Sequence, residues 1–414
     1  MILMNNVTTA KLRLSALSVF RGILGRSVPK AFYRLLCGLD KCPEDFLRLY
    51  GEFYSLICER GCSQNLAYAF TEAALFDENC FTRSAAAGTY DTLPGEVIQA
   101  VKYDCETILS ASQLSAEEVL RAYPRYGEIA SFAETLPRWQ SGECVESFKM
   151  FDGSLAKIAA YYRENGCGIF ARYKAFLWRD GDIQPVLNYD TIAIDDFTGY
   201  ERQRDKVMNN TRAFLEGKTC NNCLLYGDMG TGKSSTVKAM ANLFRKDGLR
   251  IVEIPKERLI EFPLLVDKIA TLPMKFIIFI DDLSFQHQDQ SYTTLKAVLE
   301  GGLAARPSNA LIYATSNRRH LVRERLSDRS LEVDDINTRD NMQETLSLSD
   351  RFGLSVCYTV PQKEEYLSIV RAMARQKGIK IADNELDAGA ERFALAKGGR
   401  SPRCAKQYVE SLFC

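Results

Sequence analysis

Histidine is scarce in this chain: its 414 residues contain two, His287 and His320. Neither has a Cys or Ser at a catalytic-looking spacing, so no protease or nuclease constellation is expected and both are read as structural or surface residues. An excess of one charge is missing too. Lys plus Arg and Asp plus Glu both number 53, and the formal net charge is zero. That removes a whole-molecule electrostatic footprint for nucleic acid or an anionic membrane and leaves only a local patch open. No apolar run approaches a bilayer span, and Lys11, Arg13, Arg21 and Arg26 interrupt any signal-peptide core. No membrane partner is expected, and no internal repeat or low-complexity tract stands out.

Cysteine is plentiful but unorganised. The thirteen residues are scattered and odd in number, and Cys37, Cys58 and Cys105 fall in apolar helical contexts where a reduced thiol behaves as a small hydrophobe. Cys220-x-x-Cys223 has neither a second pair nor a nearby His, which argues against zinc or redox work. A reducing cytoplasm is the expected compartment. Apolar content of 46% and charged content of 26% are those of a globular protein, and the length calls for two or three domains.

Against these absences stands one stretch, Leu224-Leu225-Tyr226-Gly227-Asp228-Met229-Gly230-Thr231-Gly232-Lys233-Ser234-Ser235-Thr236. Gly227 to Ser234 match G-x-x-x-x-G-K-[ST], a phosphate-cradling loop between a buried strand and a helix. Glycines let successive N–H groups turn inward toward phosphate oxygens, and the helix that follows presents its unsatisfied N–H groups and positive dipole end. Asp228, Met229, Thr231 and Ser235 complete the candidate binding loop. Lys233 is expected to neutralise β/γ-phosphate charge and Ser234 to help hold Mg²⁺. A chance match in a glycine-rich turn is the competing reading. The apolar run before the motif and the helical spacing of Val237, Met240, Ala241 and Phe244 after it weigh against chance.

The chain before this stretch carries no catalytic motif. Apolar residues recur at helical spacing over 9–37, 43–60, 64–76, 94–112, 115–135 and 144–165. Aromatics such as Phe46, Tyr50, Phe53, Tyr54, Tyr161 and Tyr162 are read as helix–helix core, with a partner-docking face as the alternative. Residues 169–182 suggest a β-hairpin leading out of the helical region. A polar entry segment at 195–201 and a helix to about 215 follow. Strands are predicted at 222–226, 249–254, 275–281, 309–315 and 354–359, with helices at 233–246, 256–271 and 291–304. This alternation implies a five-stranded parallel sheet covered on both faces. Beyond Pro361 only helices are predicted, at 362–377, 383–397 and 402–412. The expected domains are a mostly helical 1–187, an α/β core 188–360 and a helical lid 361–414.

Two further strand ends carry polar groups. Phe276-Ile277-Ile278-Phe279-Ile280 runs into Asp281-Asp282, and ligands in open α/β sheets bind at such carboxyl edges. Asp281 is placed to hold Mg²⁺ and Asp282 to polarise an attacking water; a solvated acidic turn is the alternative. The run from Ala310 to Ser316 ends in Asn317, which is suited to orient a water near a γ-phosphate or, alternatively, to cap the next helix.

With these residues in hand, the order of motifs resembles the AAA+ ATPases. More closely, residues from about 190 to 413 are similar to DUF815, an uncharacterised bacterial family of predicted AAA+ ATPases. The likeness rests on Leu224-Leu225-Tyr226-Gly227-Asp228, on Ile280-Asp281-Asp282-Leu283-Ser284-Phe285 and on Tyr313-Ala314-Thr315-Ser316-Asn317-Arg318-Arg319-His320-Leu321. The resemblance implies a five-stranded AAA+ core with a small helical lid, ATP and Mg²⁺ as ligands, and Asp281 and Asp282 as the Walker B pair. It further implies Asn317 as a γ-phosphate sensor, Arg351 as an arginine finger entering a neighbouring subunit's site, and Gly199 and Tyr200 as an adenine-contacting segment. Arg403, with Arg400 as the weaker candidate, is implied as the lid sensor. An in-trans arginine implies a homo-oligomer.

The implied function is ATP hydrolysis coupled to remodelling or recruitment of an unidentified protein partner through the N-terminal region. One departure matters: the usual second acid is Glu, whereas Asp282 is a methylene shorter. Such displacement of a base is costly. The Asp-Asp form also occurs in helicase-loader relatives, so a slow ATP switch acting on nucleic acid is the alternative. Residues 318–329 hold five Arg against two acids. They suit phosphates, or an acidic face of the next subunit such as Asp334, Asp335 and Asp340; the absence of aromatics favours the latter. A small-molecule P-loop kinase is opposed by Arg403 and Asn317.

Overall fold

The structure is a computed structural model that describes residues 6–149, 151–190, 192–194, 197–284, 290–299, 307–317 and 349–413. The chain divides into two compact units, Met1–Arg172 and Tyr173–Cys414.

The first unit is helical: α1 (Asn6–Ser15), α2 (Ser27–Cys37), α3 (Pro43–Glu59), α4 (Leu66–Leu75), α5 (Cys80–Ala86), α6 (Gly95–Ser112), α7 (Ala116–Arg121), α8 (Tyr126–Ala133), α9 (Ala156–Asn165) and α10 (Ile169–Arg172). Helix α3 shows why. Pro43 occupies the first turn, where no N–H is needed, and Glu44 and Asp45 face the positive end of the dipole. Phe46, Leu49, Tyr50, Phe53 and Ile57 then form one buried stripe. Phe32, Phe53 and Phe70 meet with centroids 5.3 and 5.4 Å apart, and Trp139 lies edge-on to Phe53 at 5.0 Å. Most of the aromatics read as core are buried in it, as Phe46, Tyr50, Phe53 and Tyr162 show. Two long predicted helices are broken. The 9–37 stretch is interrupted by a short 3₁₀ turn, Arg21–Gly25, and 115–135 is split at Pro124, which cannot continue a helix.

In the second unit a seven-stranded sheet runs in the order β2-β1-β4-β5-β6-β3-β7. The strands are β1 (Ala175–Arg179), β2 (Asp182–Pro185), β3 (Cys223–Gly227), β4 (Leu249–Glu253), β5 (Lys275–Ile280), β6 (Ala310–Ser316) and β7 (Leu354–Tyr358). All neighbours are parallel except β1 and β2. The expected count of five is therefore corrected to seven. The hairpin predicted to lead out of the helical region is present and adds to the sheet: β1 lies along β4 with Ala175 opposite Ile251 and Leu177 opposite Glu253. Burial drives this, since Trp178 is fully buried and its Nε1 donates to Glu261 Oε2 at 2.7 Å. The two compact units divide after Arg172, so the hairpin lies with the sheet.

Helices α11 (Glu201–Leu215), α12 (Lys233–Leu243), α13 (Phe262–Ala270) and α14 (Gln290–Leu299) connect the strands. Helix α12 packs Val237 and Met240 into a core with Leu225, Ile277, Leu311 and Val356. Every residue of β6 is buried, as expected of a central parallel strand. The expected lid is three C-terminal helices, α15 (Lys363–Gln376), α16 (Asp383–Lys397) and α17 (Pro402–Ser411), packed on their own core of Tyr366, Val370, Ala390, Ala405 and Val409.

Candidate functional site

The parallel sheet brings the carboxyl ends of β3, β5 and β6 together, and the polar residues singled out in the sequence follow those three strand ends. The loop after β3 is shaped by glycine where no other residue fits. Gly227 has φ 127°, and a Cβ there would lie 2.0 Å from the Tyr358 carbonyl oxygen. Gly230 and Gly232 also have positive φ, 75° and 94°. Asp228 N donates to Tyr358 O at 2.8 Å, and Thr231 Oγ1 donates to Asp228 O at 2.8 Å. Met229 stands exposed at the crest. Ser234 and Ser235 lie in the first turn of α12.

Lys233 is buried, and its Nζ donates to Gly227 O at 2.8 Å, Asp228 O at 2.7 Å and Asn317 Oδ1 at 3.1 Å. Desolvation lowers its pKa, against the opposing pull of Asp228, Asp282 and Asp281. Ser234 Oγ donates to Asp281 Oδ1 at 2.6 Å. The same carboxylate oxygen accepts from Thr315 Oγ1, whose hydroxyl oxygen in turn accepts from Asp282 N at 3.0 Å. Asn317 Nδ2 donates to Asp282 Oδ1 at 2.7 Å. Asp282 takes φ 51°, an unusual backbone state for a non-glycine residue. Lys233, Asn317 and Asp282 thus form one chain of contacts, and Ser234, Asp281 and Thr315 another. The helix that Asn317 was weighed to cap would fall outside the described residues, as do Arg318, Arg319, His287 and His320.

Pairing Asp281 with Ser234 sets a carboxylate against a hydroxyl, two hard oxygen donors of the kind Mg²⁺ takes. Neither group is sequestered by a Lys or Arg among the contacts described. The residues fit the ion.

From the lid, Arg403 N donates to Gly230 O at 3.1 Å, and its positive charge bears on Lys233. Arg400 is instead held by Glu391, with Nε–Oε1 at 2.8 Å and Nη2–Oε2 at 2.7 Å. Gly199 and Tyr200 both adopt positive φ, 83° and 59°. Tyr200 stacks on Tyr358 with centroids 5.3 Å apart and donates its hydroxyl to Thr359 O at 2.7 Å. A small pocket beside them is lined by Phe197, Tyr200, Thr231, Gly232, Tyr358 and Met373 among others.

Arg351 is not brought to this cluster. It lies in the exposed turn before β7, whose Leu354 pairs with Cys223 and whose Tyr358 pairs with Gly227. It therefore sits at the opposite end of the sheet from its own loop.

Sequence reasoning missed Phe197, Tyr358, Met373 and Glu253. The first three are ordinary apolar or aromatic types whose role depends on packing. Glu253 offered a signal, because it closes the apolar strand β4 at the same carboxyl edge. Its carboxyl pKa is raised by burial and by the neighbouring Asp281, with Lys238 opposing. Cys223 is buried in β3, where desolvation pushes its thiol pKa up.

The family model described as a protein of unknown function, DUF815, matches residues 171–414. The chain belongs to this family. An AAA-ATPase of Arabidopsis thaliana is 30% identical to this DUF815 member over 108 residues, which is 24% of this chain and 22% of that protein. The match thus spans about a fifth of that relative's length. Together they bear out the AAA+ P-loop resemblance. Among solved structures, Thermotoga maritima RuvB, titled a Holliday junction branch migration motor, is 13% identical with a TM-score of 0.33, covering 53% of this chain and 72% of that one. A replication initiator DnaA bound to AMPPCP and single-stranded DNA is 15% identical with a TM-score of 0.35, covering 53% and 64%. Likenesses at that level carry no argument about this chain. Among the described residues, no helix is long and apolar enough to cross a membrane.

Proposed function

We propose that this DUF815 member binds and hydrolyses ATP and couples that cycle to an unidentified protein partner engaged through its helical first unit. The observation that carries the reading is the joined set Lys233–Asn317–Asp282 beside Ser234–Asp281 at three adjacent strand ends. Lys233 exchanges its bonds to Gly227 O and Asp228 O for β- and γ-phosphate oxygens, which remain close by because the same loop presents its N–H groups. The base is assigned to the pocket of Phe197, Tyr200, Tyr358 and Met373. Asn317 orients Asp282, which polarises the attacking water, and Arg403 approaches from the lid. Ser234 and Asp281 would hold Mg²⁺, which when bound neutralises phosphate charge. Since Arg351 lies far from its own loop, it is assigned to a neighbouring copy's site, which makes the working form a homo-oligomer.

One observation favours slow turnover. Asp282 is the shorter acid and one of its oxygens is engaged by Asn317, so its reach to a water is limited. This suits a switch of helicase-loader type; a role on nucleic acid would rest on residues 318–329, outside the described set.

The test is ATP hydrolysis by the full chain against protein concentration, for wild type, Lys233→Ala and Arg351→Ala. Rate per subunit rising with concentration, loss in both variants and partial recovery on mixing them support the reading. A flat rate with a silent Arg351→Ala removes the shared site, and no nucleotide binding by wild type removes the reading altogether.

A further inference from the structure

An acid at the second position of the loop needs an explanation. The carboxylate of Asp228 lies within a segment read as a polyanion cradle, where its charge opposes phosphate binding. It is exposed, so burial does not hold it there. Its geometry points elsewhere: Asp228 Oδ2 accepts from Val360 N at 2.7 Å.

Val360 belongs to the short hinge 359–362 between β7 and the first lid helix, α15. The backbone entering this hinge is held at each step. Tyr358 O accepts from Asp228 N at 2.8 Å, Thr359 O from the Tyr200 hydroxyl at 2.7 Å, and Val360 N donates to Asp228. The lid touches the same loop a second time. Arg403 N donates to Gly230 O, and a Cβ on Gly230 would meet Ser401 Oγ at 3.1 Å and the Arg403 Cβ at 3.2 Å. Helices α15 and α17 share one core through Tyr366, Val370, Ala405 and Val409, so the lid is packed as one body. Contacts at residues 228 and 230 thus tie the hinge and the lid to the same loop.

We propose that Asp228 is a positioning residue whose carboxylate seats the hinge on the phosphate loop and so sets the angle at which the lid delivers Arg403 to bound nucleotide. The inference rests on the nucleotide reading above and adds to it a regulation of the same site. The side-chain acceptor, not the negative charge, does the seating, because a backbone N–H needs only an oxygen at that place.

The experiment compares full-length wild type, Asp228→Ala and Asp228→Asn by hydrogen exchange over 359–362 without nucleotide, and by steady-state ATP hydrolysis. Loss of one exposed hydrogen bond is expected to speed exchange at Val360 about five- to tenfold in Asp228→Ala. The same variant loses kcat about tenfold with KM changed less than about threefold, since loop N–H groups and Lys233 still bind phosphate. Asp228→Asn keeps an acceptor oxygen and recovers most of both losses. Should Asp228→Ala fail to fold, Asp228→Ser removes the reach of the acceptor with a polar side chain and is expected to behave as the alanine variant. Equal exchange in all variants overturns the proposal, as does an asparagine variant as impaired as alanine. The exchange arm needs no nucleotide. If wild type does not bind ATP, the nucleotide reading fails while hinge protection still reports on Asp228. If ATP binds normally and Asp228→Ala leaves hinge and kcat unchanged, the seating alone is wrong.

Discussion

Lys233 spends its three donors on Gly227 O, Asp228 O and Asn317 Oδ1, so its removal deprives the loop and the strand-end amide of a shared partner. Hydrogen bonds to charged groups contribute about 1.5–3 kcal/mol each. Lys233→Ala is accordingly expected to weaken ATP binding by about tenfold to a hundredfold, read by calorimetric titration; unaltered affinity would remove Lys233 from the phosphate site. Asp282 separates binding from chemistry. Asp282→Asn keeps an acceptor for Asn317 but cannot take a proton, so turnover is expected to fall about 10²–10⁴-fold while ATP affinity holds. Asp282→Glu supplies the missing methylene and is expected to raise kcat; a fall instead would mean that the φ 51° backbone and the Asn317 contact already place the shorter acid well. The placing of Lys233, Ser234, Asp281 and Asp282 after strand ends could be read in the sequence because each follows a strand whose apolar run announces its own end. Phe197, Tyr358 and Met373 could not, since an aromatic or methionine in a pocket looks like one in a core until the chain folds.

Elements obey the same division. Strands β3 to β7 were legible because near-continuous apolar runs such as Phe276 to Ile280 read as buried strands in an alternating chain. The hairpin β1–β2 was legible as a hairpin, yet its partner was not. Pairing of β1 with β4 is a contact between residues more than seventy positions apart, Ala175 opposite Ile251, and no local pattern encodes it. This gives a test at the scale of the element. A chain of residues 173–414 is expected to unfold cooperatively, whereas one beginning at 188 leaves the β4 edge unpaired and loses the Trp178 packing. Burial of such a side chain contributes about 3–5 kcal/mol, so the shorter chain is expected to melt well below the longer in thermal denaturation. Equal midpoints would place the true boundary near 187. Gly227→Ala is a sharper probe, because its Cβ has no room beside Tyr358 O. Loss of both stability and ATP binding is expected, by calorimetry and titration.

For the molecule as a whole, the site as proposed is incomplete in one copy. Arg351 precedes β7 at the end of the sheet remote from the loop after β3, and a neighbour must supply the corresponding charge. Sedimentation of wild type with a non-hydrolysable ATP analogue is expected to show an assembly that Arg351→Ala retains but that lacks full turnover. An assembly whose activity ignores Arg351 would assign that residue to the interface alone.

What the sequence by itself determined was the chemistry: a glycine loop, a lysine, a hydroxyl, two carboxylates and an amide, each tied to a strand end by local pattern. Their order along the chain needs no contact map, because phosphate cradles and buried strands are written in consecutive residues. Only the tertiary structure decided which residues surround them. It set the strand order, added β1 and β2 to the sheet, and turned Arg400 to Glu391 while Arg403 reached Gly230. It also placed Asp228 beneath the hinge at Val360. These are meetings of segments distant in sequence, selected by burial and by hydrogen bonds that must be satisfied together, and no single stretch of residues contains that information.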